Sequence, residues 1–343
     1  MNNNKFLKIG SMLLFIVLAT YSCYATEHSL HLLSPHLPKI LVWAITIAFF
    51  FVASYASKMI VDSLNQNIYL ENRRWHLLGG LALMILFWLV ISMPTNTHTF
   101  FYNEQICDAV LSDISVTENY LIQIDKRQVT LKEYDSVEAA VNKKYTELSA
   151  EFNGLGPSEK RGNGQYVMQR MREINNILGS NIPVDPRANI YDVTILNRYN
   201  TLIAKELKRV KRERYQAPQS AVDEANRVLD DLYVIEDTVK VMTAFGKPDE
   251  RIITQTEGVL QNAYSLIKNN KQYIKFNDGD EQYYCAEKIT TKTHQLKNVI
   301  KVWQEFITGK YNGKGFFYWI MISLLVDLGA FIFFDLAFKK EDY

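Results

Sequence analysis

The sequence predicts an all-α polytopic membrane protein with four transmembrane helices and a large extracytoplasmic helical-bundle domain inserted between the third and the fourth. Three observations carry the prediction. The apolar residues, 48% of the 343, are pooled into four blocks instead of being spread along the chain. Residues 98–314, between the last two blocks, are polar and repeat their apolar positions at helical spacing. They also balance their charge, holding 30 Lys+Arg and 30 Asp+Glu of the chain's 38 and 37. Finally, the basic residues of the tails and short connections fall on one side of the predicted bilayer, with only Lys39 at the edge of the opposite loop.

Met1–Lys8 holds Lys5 and Lys8, and the apolar run Ile9–Ala25 follows. With Phe6 and Leu7 it makes a first span over about residues 7–25. A basic start before an apolar core is also the layout of a signal peptide. No A-x-A site follows, and Thr20-Tyr21-Ser22 is a poor approach to a lipidated Cys23, which favours the span. Either reading leaves Glu27–Pro38 outside.

The second span covers about residues 40–60, between Lys39 and Lys58, with Ala44 and Ala48 as a small-xxx-small pair for close helix approach. After the polar link Asp62–Arg74, the third span covers 75–93, carries Gly79-Gly80, and is expected to stop at Pro94. The fourth covers 316–338. Its start is crowded by Phe316, Phe317, Tyr318 and Trp319, and Lys339 and Lys340 follow its end, an interfacial belt and a cytoplasmic stop. Lys5, Lys8, Lys58, Arg73, Arg74, Lys339 and Lys340 share one side. Both termini are therefore expected in the cytoplasm and residues 98–314 in a periplasmic or extracellular space. Richness in Asn, Lys, Ile and Tyr points to an AT-rich bacterial genome, hence to a bacterial inner membrane.

The outer region reads as helices with breaks. Helical spacing over Asn103–Asn153 pauses near Arg127–Tyr134, and Asp135-Ser136 can cap the restart. Gly154-Leu155-Gly156-Pro157 is a stop. Helices are expected over 165–178, 190–215, 220–245 (capped by Ser220), 250–268 and 286–308. Gly246-Lys247-Pro248-Asp249 forms a turn, and two short strands, 272–276 and 282–285, flank the turn at Asn277-Asp278-Gly279-Asp280. Long helices with apolar seams predict an antiparallel bundle, with coiled-coil-like packing, standing on the membrane. The order of three spans, a long polar segment and a fourth span resembles that of tetraspanins. It is a resemblance of layout alone, because the segment has no Cys-Cys-Gly and only two cysteines.

Those two, Cys107 and Cys285, lie near the ends of the outer region. In an oxidising compartment they are expected to pair, closing a loop worth on the order of 4–5 kcal/mol in the chain-entropy model.

Asp327, in the middle of the fourth span, is the leading candidate for chemistry. A carboxylate at bilayer depth costs about 2.5–3.5 kcal/mol on insertion scales, so it faces protein or water and marks function more often than most residues. It reads as a proton or cation site, as a coupling point to a partner helix, or as a structural acid bonded to Ser54, Thr46 or another small polar group. Asp335 has Lys339 four residues on. His28, His31 and His36, with His98 beyond the third span, have the residue type of a metal site but no recognised ligand spacing, and histidines are common in interfacial loops. Lys205, Lys208, Arg209, Lys211 and Arg212 form a basic stripe for an anionic surface. Glu206 and Glu213 interrupt it, as on an ordinary solvated face. Asn277–Glu281 lacks the calcium-loop pattern.

No phosphate-cradling loop, zincin motif or nucleophile elbow occurs, so no cofactor and no enzymatic activity are expected. The expected function is a non-enzymatic membrane protein whose outer helices bind or organise an envelope or surface partner, with a homo-oligomer as a further arrangement open to a helical bundle. The alternatives are a transporter or channel component using Asp327, and an envelope sensor that needs a cytoplasmic partner. The partners implied are the lipid bilayer and an envelope or surface protein. A net charge of +1 with a balanced outer region speaks against nucleic acid.

Overall fold

The computed structural model describes residues 3–66, 69–187, 190–244, 248–288, 290–311 and 315–338. Four helical stretches are long and apolar enough to cross a membrane: Phe6–Leu33, Lys39–Leu64, Arg73–Asp125 and Phe316–Phe338. They belong to α1 (Asn3–Leu33), α2 (Lys39–Leu64), the run formed by α3 (Arg73–Phe87), a π segment (Trp88–Ser92) and α4 (Met93–Asp125), and α13 (Phe316–Phe338). These helices reverse the pattern of a water-soluble fold. Many of their large apolar side chains are exposed, among them Leu13, Val17, Phe51, Leu86, Val90, Leu325 and Ile332, while Ser22, Thr26, Ser29, Ser92, Asn96, His98 and Asp327 are buried. An apolar coat around a polar interior is what hydrocarbon solvent selects.

The bounds of α2 and α13 agree with the expected spans. Helix α1 runs past residue 25 to Leu33 because nothing breaks it before Pro35. The expected stop at Pro94 is corrected. The missing N–H of proline is absorbed by a widened turn, in which the Met93 N–H reaches back to the Trp88 carbonyl and the helix continues. The Thr95 hydroxyl donates to the Ile91 carbonyl at 2.6 Å, supplying a donor where the ladder is disturbed.

The chain divides into two compact units. One comprises residues 1–113, 237–257 and 290–343, the other 114–236 and 258–289. In the first, α1 packs along α13 and against α2, and α2 packs along α3. Its apolar centre gathers Cys23, Phe50, Ala53, Phe87, Ala330 and Phe331, with the Phe50 and Phe331 rings 5.5 Å apart. The close α2–α3 approach does not use Ala44 and Ala48, which are exposed. It uses Ala56, which is buried, opposite Gly80. A Cβ at Gly80 would lie 2.9 Å from the Ala56 carbonyl oxygen, so only glycine lets the backbones meet.

The second unit is built on α5 (Glu133–Phe152), α6 (Gln165–Leu178) and α7 (Val193–Arg214). Their apolar stripes meet at helical intervals: Val141, Leu148 and Phe152, then Val167, Met171 and Ile174, then Tyr199 and Ile203. Helix α6 has the expected bounds and ends on Gly179 in the left-handed region. A buried amide holds the loop between α6 and α7: the Asn163 Nδ2 donates to the Asp185 and Arg187 carbonyls, and Tyr199 OH donates to its Oδ1. A separate aromatic group joins Tyr120, Tyr264, Phe276 and Tyr284.

The remaining helices are α8 (Gln219–Ala244), α9 (Glu250–Asn269), α10 (Asp280–Tyr284), α11 (Lys292–Lys297) and α12 (Val299–Ile307). Several expectations change here. No strand occurs among the described residues: a short 3-10 turn (Lys271–Tyr273) and α10 occupy the stretches expected as strands. The helix expected over 286–308 is two, because the Asn298 side chain accepts from the Lys301 N–H and starts a new helix at its own position. Helix α5 restarts at Glu133, ahead of Asp135, and α8 starts at Gln219 with Pro218, not Ser220, supplying the first carbonyl. Of the expected turn 246–249, Gly246 and Lys247 lie outside the described residues. The expected Cys107–Cys285 disulfide is also corrected, because all three cysteines are free thiols. Cys107 is a buried residue of α4 beside Thr243, whereas Cys285 closes α10 by donating its N–H to the Glu281 carbonyl. Each occupies its own surroundings.

Candidate functional site

Two stripes of small polar residues face each other inside the first unit. On α1 they are Ser22, Thr26 and Ser29; on the π segment and α4 they are Ser92, Asn96 and Thr99. Both sets step by four and then three residues, which keeps one helix face in line. Asp327, only 1% exposed, enters from α13 at one end. Ser22 Oγ donates to its Oδ1 at 2.7 Å, and Ser92 Oγ donates to its Oδ2. Asn96 Nδ2 donates to both serine oxygens at 2.9 Å and reaches Oδ1 of Asp327 at 3.4 Å. The amide is oriented in turn by Thr26, whose hydroxyl donates to Asn96 Oδ1 at 2.9 Å. Thr95 Oγ1, its hydrogen on the Ile91 carbonyl, stands 3.1 Å from Thr26 Oγ1, and Thr99 donates to the Ala25 carbonyl at 2.6 Å.

The polar line continues along the same two helices. His98 is fully buried, with Nδ1 2.7 Å from Ser29 Oγ and Nε2 2.8 Å from the Leu296 carbonyl. A carbonyl can only accept, so Nε2 carries a hydrogen. The ring of Tyr102 stacks on His98 and donates its hydroxyl to Glu250 Oε1 at 2.7 Å. His28 Nε2 lies 3.9 Å from the same oxygen. Lys297 stands between Glu250 and Glu257, 3.9 and 2.8 Å away, and His294 Nδ1 is 3.3 Å from Glu257. The line thus leads from one acid, Asp327, to a cluster of ionisable side chains on α9 and α11.

Burial pushes the Glu257 carboxyl up, but the His294 and Lys297 contacts outweigh it and hold the group below the ordinary 4.5. A lowered carboxyl stabilises the fold above its unfolded value, and that contribution is lost as pH falls through its folded value. Thermal melts of the detergent-solubilised chain should therefore drop more steeply for wild type than for Glu257→Gln as pH falls below the ordinary carboxyl value of 4.5. Equal slopes would show that this ion pair contributes nothing.

The other candidates are placed as follows. Asp327 does not use Ser54 or Thr46, whose hydroxyls are turned back to the Phe50 and Val42 carbonyls. Asp335 is half-buried on α13, and Lys339 lies outside the described residues. The four histidines do not form a metal site. His28 and His98 both lie against the Tyr102 ring, at 5.7 and 6.0 Å, but His98 bonds Ser29, His28 faces Glu250, His31 is half-buried and His36 is exposed, and no metal-holding group of three or more ligands occurs among the described residues. On α7, Arg209 is tied to Glu206 and Glu213 at 2.8 and 2.6 Å, and Lys211 lies over the Tyr134 ring. Lys205, Lys208 and Arg212 remain exposed.

Sequence reasoning missed Ser22, Ser92 and Asn96, the three side chains that hold Asp327. The readable signal was the shared spacing of Ser, Thr and Asn within two apolar segments. No protein-family model matches the chain, and neither the curated proteins nor the solved structures give a significant match.

Proposed function

We propose that the chain is an integral membrane protein acting as a transporter or channel component, with Asp327 as its intramembrane proton or cation site. The observation that carries this reading is the buried polar line itself. An acid in the middle of an apolar helix is held by Ser22, Ser92 and Asn96, and further buried polar side chains on the same two helices, Thr26, Ser29 and His98, follow in the direction of Glu250, Lys297 and Glu257. Lining a membrane interior with that many polar groups is costly, and such lines mark ion and proton paths. In the orientation suggested by the basic residues, both termini are cytoplasmic and the charged cluster is the outer mouth of the line.

A second reading is a non-enzymatic scaffold in an inner membrane. It is favoured by the way Asp327 is satisfied from α1, the π segment and α4 of the same chain, as a polar clamp would be. The outward-facing Lys205, Lys208 and Arg212 would then meet an anionic envelope or surface partner. Asp327→Asn separates the two. Reconstituted into vesicles, a correctly assembled variant that has lost pH-driven or cation-driven flux supports transport. If wild-type vesicles carry no such flux, and Asp327→Asn instead disrupts assembly, the scaffold reading stands.

A further inference from the structure

We infer that the ion taken by Asp327 is a proton and not a metal cation, an inference that rests on the reading of Asp327 as a titrating site. The groups around the carboxylate are hydrogen-bond donors. Ser22 and Ser92 direct their O–H groups at it, and Asn96 presents its NH₂. The amide cannot be turned without cost. Its oxygen accepts from Thr26, and reversed it would face the Asp327 carboxylate while Ser22 and Ser92 lost the N–H groups they accept. An alkali or alkaline-earth cation has to gather oxygen lone pairs from several directions, usually with backbone carbonyls among them. Here the NH₂ has none to give, and both serine hydroxyls would have to reverse.

A proton asks for one reversal. It arrives from water and forms an O–H bond at Oδ2, leaving the side chain neutral. That new O–H donates to Ser92 Oγ, and the Ser92 hydrogen, displaced from the carboxylate, turns back to a carbonyl of the preceding turn. Thr95 beside it already bonds in that way to Ile91. Serine both donates and accepts, so the shell suits the two states of a carboxyl and no third occupant. The titratable side chain bearing on Asp327 from α1 is Cys23, and α13 itself carries Asp335 eight residues on, about 12 Å along the axis. No lysine, arginine or histidine forms an ion pair with Asp327 among the described residues, and α2, the π segment and α4 present it with none.

The test is pH-difference infrared spectroscopy of the full chain in phospholipid bilayers, following the C=O band of a protonated carboxyl in sodium, potassium and choline buffers. The expected result is a titrating band that is absent from Asp327→Asn and whose midpoint is the same in all three buffers. Ser92→Ala should move the band's frequency without removing it, which assigns the band independently if Asp327→Asn fails to reconstitute. A midpoint that falls with sodium or potassium, by about one pH unit per tenfold rise for a saturating competitor, would overturn the proton assignment and leave Asp327 a cation site. No titrating band at all would overturn the titrating site along with it.

Discussion

Asp327→Ala is expected to destabilise the protein by about 2–4 kcal/mol, because it leaves a small cavity and strips an acceptor from two hydroxyls and an amide. The loss stops short of three full desolvation penalties. Ser22 and Ser92 can turn to carbonyls of their own helices, and Asn96 keeps both serine oxygens. Asp327→Asn should stay within about 1 kcal/mol of wild type, since its oxygen still accepts from Ser22 and its NH₂ can donate to Ser92. Thermal unfolding of the full chain in one detergent checks the pair. An alanine variant melting with wild type would mean that the three donors gain little from the acid.

Gly79→Ala and Gly80→Ala should have opposite signs although the positions are adjacent on α3. Alanine gains about 1 kcal/mol over glycine inside a helix. At Gly79 a Cβ meets only the Met59 methyl at 3.4 Å, an ordinary contact with a flexible tip, so the gain survives. At Gly80 it meets the Ala56 carbonyl oxygen at 2.9 Å, Ile60 Cγ1 at 3.0 Å and Met59 Cβ at 3.1 Å. Backbone cannot yield as a side-chain tip does, and overpacking of this kind costs about 1–3 kcal/mol, so the clash wins. Melting temperatures of the two variants decide it, and a stabilised Gly80→Ala would mean that α2 and α3 can part freely.

Composition made the four apolar helices legible, and the bounds of α2, α6 and α13 followed from flanking Pro, Gly and charged residues. What stayed hidden depended on rotation about a helix axis. Ser22 and Asn96 are ordinary small polar residues in a hydropathy reading; only the phase of α1 against α4 turns them onto Asp327. Pro94 misled for a related reason, because a stop and a widened turn begin with the same residue. The Asn298 break was readable, since an asparagine before an apolar run is a normal cap, but the surrounding helical period masked it. The cysteines misled because position in the chain says little about where two thiols point.

The widened turn at Trp88–Ser92 also sets an angular offset along the third apolar stretch. An extra residue in a helical turn displaces all that follows by about 100° around the axis. Gly80 before it can therefore look toward α2 while Asn96 after it looks toward α1. Trimming one residue from this turn would leave both neighbours in place and still aim the amide past the acid it now serves.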